Sequence, residues 1–143
     1  MGTGVVHAMA AVAVAVWLIA LSASDIRHRR LPNALTIPGA VAVLGAAAFM
    51  ERGGPALAGA AALAAVYLVA PAGLGAGDVK LAPGLGALTG AFGTESWALA
   101  AVAAPVLTAG WALTALAFGR TDPVPHGPSM CAAAALAVAG AWG

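Results

Sequence analysis

Charge is scarce in this chain. Asp, Glu, Lys and Arg make up 8% of its 143 residues, where a soluble domain carries about 25%. A water-soluble globule of this size would have too little polar surface. There is one cysteine, Cys131, which excludes an intrachain disulfide and a thiol metal centre. The net charge is +1 and no basic face is interleaved with aromatics, so nucleic acid is not an expected partner. No Lys or Arg precedes Arg27, so the apolar start lacks the positive n-region of a signal peptide. It is expected to persist as a helix. Internal repeats and linker-like stretches are also missing, and residues 1–143 are read as one domain.

Apolar sequence is plentiful instead. Hydrophobic residues reach 62%, and charge-free runs cover residues 1–24, 31–50, 53–77, 81–94, 96–119 and 123–143. About 20 apolar residues cross a bilayer as a helix. The run 81–94 falls short unless its helix also takes in Asp78, Val79 and Lys80. The expected fold is an all-α membrane protein, a bundle of six transmembrane helices in the lipid bilayer.

The cations orient that bundle. With the N-terminus outside, Arg27, Arg29, Arg30, Lys80 and Arg120 fall in inner loops and Arg52 alone falls outside. This is the bias that positive-inside orientation requires. Both termini are then expected outside, and Asp25 and Asp78 reach the same cytoplasmic face.

Small residues crowd the expected spans. Gly86 and Gly90 form a small-xxx-small pair, and Ala58-Gly59-Ala60 lies in the third run. Such residues let helix backbones approach closely in lipid, although a genome rich in Ala and Gly codons would leave the same pattern. Trp97 and Trp142 lie near expected outer ends, where amphipathic rings sit. Trp17 and Trp111 are read as packing residues. Pro38, Pro71, Pro83 and Pro105 fall within or near helices, as kinks.

Two stretches carry chemistry. Asp25 closes the first uncharged run and is followed by Ile-Arg-His-Arg-Arg-Leu-Pro32-Asn33. Carboxylates at membrane depth are costly and usually functional. An interfacial Asp25 paired with Arg29 one turn on explains its position equally well. Pro32 and Asn33 suit the start of the next helix. The second stretch is Gly73-Leu-Gly75-Ala-Gly77-Asp78-Val-Lys80. Its glycines permit close backbone approach, and irregular backbone at this depth belongs where it lines a wet cavity. A dinucleotide fingerprint fails, because both flanks are apolar spans rather than a strand and a helix. A solvated aspartate in a plain glycine-rich loop stays open.

These residues resemble the type IV prepilin peptidases. In that family one catalytic aspartate precedes a basic stretch and Ile/Leu-Pro-Asn, as Asp25 precedes Arg30-Leu31-Pro32-Asn33. A second lies in Gly-x-Gly-Asp-x-Lys, as in Gly75-Ala-Gly77-Asp78-Val-Lys80. A later Pro-x-Gly-Pro resembles Pro125-His126-Gly127-Pro128. His126 departs from the aromatic residue often found there. The single cysteine leaves no room for the cysteine-rich loop of the bifunctional members, so the chain is similar to the short, peptidase-only form.

The resemblance implies an intramembrane aspartic endopeptidase with Asp25 and Asp78 catalytic. It would need neither metal nor organic cofactor. Its substrate would be a prepilin-like precursor whose basic leader joins a hydrophobic helix, cut at the cytoplasmic face of the cell membrane. Lys80, two residues after Asp78, is placed either to tune the aspartate pair or, as favoured here, to anchor the loop at the interface. Two rivals remain: a small transporter or channel using membrane-edge aspartates, and a non-catalytic homologue acting in pilus assembly. His7 and His28 lack metal spacing. Asp122 reads as a turn residue, Glu51 and Glu95 as loop charges, and Cys131 as a small packing residue.

Overall fold

The computed structural model describes residues 2–69 and 76–142. Among these there are six α-helices and no strand: α1 (Gly2–His28), α2 (Asn33–Phe49), α3 (Gly53–Val69), α4 (Ala76–Ala91), α5 (Thr94–Ala117) and α6 (Gly127–Trp142). The six charge-free runs each became one helix. α4 begins ahead of Asp78, as the short fourth run required. Among the described residues two helices, α1 and α5, are long and apolar enough to cross a membrane. α2, α3 and α6 are apolar but shorter, at 16 or 17 residues.

Local chemistry fixes the helix ends. Pro32 stands at the N-cap of α2, with φ −69° and ψ 141°, and its carbonyl accepts the Leu35 and Thr36 N–H groups. Proline suits this place because its missing N–H would be unpaired anyway. α5 stops at Gly119, whose φ of 76° lies in the left-handed region. There the Arg120 N–H reaches back to the Ala115 carbonyl at 2.9 Å, the bond pattern of a Schellman stop.

α4 is the central helix. It touches α2, α3, α5 and α6, and from Leu81 to Gly90 every residue except half-buried Pro83 is buried. A helix apolar all round belongs in such a position. Leu85 of α4 packs with Leu18, Leu21, Leu63, Tyr67 and Met130 in the main core. The outward faces of α1 and α5 carry exposed aliphatics, among them Val5, Val12, Ile19, Val102 and Leu113. Faces of this composition suit a lipid rather than an aqueous surround.

The small-residue stripes meet each other. Gly59 of α3 lies against Gly86 and Gly90 of α4 so closely that a Cβ on Gly59 would strike the Gly86 carbonyl and sit 2.9 Å from the Gly90 Cα. A Cβ on Gly86 would likewise strike the Gly59 carbonyl. Both obstacles are backbone and cannot rotate away. Gly86→Val is therefore expected to lower stability by about 1–3 kcal/mol or more. Gly110→Ala, which meets nothing within 4 Å, should be neutral. Thermal unfolding of the two variants in detergent checks the contrast, and equal melting would remove the seam from the account.

Tryptophans tie helices by more than packing. The Trp17 indole N–H donates to the Leu35 carbonyl at 2.8 Å, and Trp97 donates to the Gly59 carbonyl at 3.0 Å. Pro38, Pro83 and Pro105 lie inside α2, α4 and α5. Pro71 lies outside the described residues.

Candidate active site

Three chain segments converge at one end of the bundle: the end of α1 with its following turn, the start of α4, and the loop before α6. Together they line a cavity of about 610 Å³. Asp25 enters from the last turns of α1 and Asp78 from the first turn of α4. Both are buried, with 8% and 6% of their surface exposed. Pro32, Asn33, Gly77, Lys80 and Pro125 also border this cavity.

Asp25 does not pair with Arg29, the bland alternative for its position. Its Oδ2 accepts the backbone N–H of Gly127, the first residue of α6, at 2.9 Å. An N–H at a helix start is otherwise unpaired, and it favours negative charge there. The Arg29 guanidinium donates instead to the Pro123 carbonyl. That bond ties the turn after α1 to the loop before α6. Arg29 itself adopts φ 51°, ending α1 in a left-handed residue.

Glycine matters at a different place from the one expected. Gly77 is helical rather than part of an irregular loop. A Cβ on it would meet only the Leu31 side chain, at 3.4–3.6 Å, an ordinary contact. The close backbone approach expected of these glycines is therefore not made at Gly77. A side chain is excluded at Gly127, where a Cβ would collide with the Asp25 side chain at Oδ2 and lie 3.0 Å from its Cγ. Gly75 lies outside the described residues. Pro128 is half-buried in the first turn of α6, beyond the cavity wall. Lys80 is exposed at the rim, and Asp122 is exposed and does not line the cavity.

Sequence reasoning missed three polar residues beside the aspartates. His126 is buried and lines the cavity. Its Nε2 lies 2.7 Å from the Tyr67 hydroxyl of α3, and its Nδ1 lies 2.6 Å from the Thr108 hydroxyl of α5. Burial draws the His126 imidazole below its ordinary pKa, while the charge of Asp25 draws it upward. A partial signal existed in the sequence: Tyr67 is the only tyrosine, and Tyr67 and Thr108 each lie inside an apolar run where a polar group needs a partner.

With this geometry in view, the comparisons with known proteins acquire meaning. Residues 12–119 match the type IV leader peptidase family. The chain belongs to that family. A prepilin leader peptidase/N-methyltransferase of Xanthomonas campestris pv. campestris is 34% identical over 137 residues, covering 86% of this chain and 47% of that protein. The chain thus spans about half the length of this curated relative. No solved structure gave a match. Membership in this family and the two long apolar helices both fit a place in the inner membrane.

Proposed function

We propose that the chain is an intramembrane aspartic endopeptidase that removes the basic leader from prepilin-like precursors, with Asp25 and Asp78 as its catalytic pair. One observation carries this reading. Two buried carboxylates from different helices border a single cavity at the bundle end where the three expected cytoplasmic loops meet. In the proposed reaction one carboxylate acts in its ionised form and the other in its protonated form. The ionised member draws a proton from water as it attacks the scissile carbonyl. The protonated member donates a hydrogen bond to the carbonyl oxygen, and the pair then protonates the leaving amine. Water and two carboxylates supply every atom and proton that this sequence requires.

The transporter rival is disfavoured by location. Transport carboxylates gather near the bilayer midplane, whereas Asp25 and Asp78 sit at helix ends. Purified protein in detergent, mixed with a synthetic precursor made of a basic leader and an apolar helix, should yield the free leader by mass spectrometry. An intact precursor after long incubation would refute the reading.

Six spans, both termini outside and a site open to the cytoplasm belong to the same proposal, supported by the five-to-one placement of Lys and Arg. Reporters fused at the C-terminus should be active outside the cytoplasm. Cytoplasmic activity there would remove both the topology and the shared-face argument.

A further inference from the structure

The hydrogen bonds around His126 form a chain across three helices. Tyr67 belongs to α3 and feels the charge of Asp78. Thr108 belongs to α5, and the His126 carbonyl accepts the Met130 N–H in the first turn of α6. The next residue, Gly127, supplies the N–H that binds Asp25. A neutral imidazole has one N–H to donate and one lone pair to accept with. Two hydroxyls, each able to donate or accept, satisfy both ring nitrogens whichever tautomer is present. The ring is therefore held from opposite sides, and the backbone of the next residue cannot turn without breaking one of these bonds.

We propose that the Tyr67–His126–Thr108 chain is a positioning clamp for Asp25, fixing the Gly127 N–H against its carboxylate. None of the three residues needs to touch substrate. They act through the peptide N–H of Gly127, and they place one aspartate relative to the helix pair α3–α4 that carries the other. The lowered basicity of the His126 imidazole suits this role, because a neutral ring lets one hydroxyl donate while the other accepts. The clamp's effect on rate rests on the peptidase reading above; its effect on Gly127 does not.

The two parts are separable in one set of variants of the full chain in detergent. Amide exchange at Gly127, followed with glycine-specific isotope labelling, reports the N–H bond to Asp25 directly. Tyr67→Phe and Thr108→Val each delete one hydroxyl with little change of shape. Each is expected to speed Gly127 exchange by about tenfold, the worth of one buried hydrogen bond. Each should also lower kcat for precursor cleavage by about tenfold while KM stays within about twofold, because only placement of the reacting carboxylate has changed. His126→Ala removes both bonds and should cost about a hundredfold in kcat. His126→Gln can still reach Tyr67 and should recover part of that loss. Unchanged Gly127 exchange in Tyr67→Phe and Thr108→Val would overturn the clamp, whatever happens to activity. Faster exchange with normal kcat would overturn its positioning role. Faster exchange in a protein that cleaves no precursor would sustain the clamp and sink the peptidase reading instead.

Discussion

Asp25→Asn and Asp78→Asn should each lower kcat/KM for precursor cleavage by at least about a thousandfold, within the range that general acid–base groups contribute. Asparagine keeps the shape of aspartate and removes the exchangeable proton and the charge. At position 25 the amide oxygen can still accept the Gly127 N–H now bonded to Asp25 Oδ2 at 2.9 Å, so α1 and α6 should stay docked. The loss is thus expected without unfolding, which matched thermal melting would register. The double variant should be no worse than either single one, because two groups that complete one acid–base step act as a unit. Retention of more than a tenth of the activity by either single variant would break the dyad.

Gly127→Ala is the second large effect. An added methyl would collide with Asp25 Oδ2, and the obstacle is the carboxylate proposed to be catalytic. Either Asp25 turns away or the first turn of α6 withdraws, and both break the 2.9 Å bond. A shift of about 1 Å at a catalytic group can cost on the order of a hundredfold in rate. Gly77→Ala, whose methyl would only touch Leu31 at 3.4 Å, should stay within about twofold of wild type on the same grounds. Cleavage rates of the two variants at equal protein concentration make the comparison. A dead Gly77→Ala beside an active Gly127→Ala would reverse the assignment and return the steric requirement to the start of α4.

That contrast also shows what the sequence disclosed. Helix number followed from charge, because in so apolar a chain the charged clusters at 25–30, 51–52 and 78–80 can lie only at helix ends. Asp25, Asp78 and the Pro-x-Gly-Pro stretch were legible as polar or glycine-rich marks at those ends. The partner of Asp25 was not, since Gly127 lies 102 residues away and donates through its backbone, which sequence does not distinguish. That His126, Tyr67 and Thr108 come together was illegible for a related reason. Single polar residues 59 and 18 positions apart carry no periodicity, and they meet only once α3, α5 and α6 are packed. The small-residue stripes at Gly59 and Gly86 fit packing or codon bias equally in sequence, and they meet only once α3 and α4 are packed.

The glycine seam between α3 and α4 has a consequence for inheritance. Where side chain meets side chain, a larger residue on one helix can be answered by a smaller one opposite. At Gly59 and Gly86 the nearest neighbour is already main chain, so no substitution opposite can clear the tightest contact. Relief can come only by sliding one whole helix, and α4 carries Asp78 in its first turn. On the proposed role of Asp78, drift at this interface is therefore visible to selection on catalysis as well as on folding, although it lies in the middle of the helices. Libraries meant to stabilise the protein should hold these positions fixed and seek their gains on the outward faces of α1 and α5.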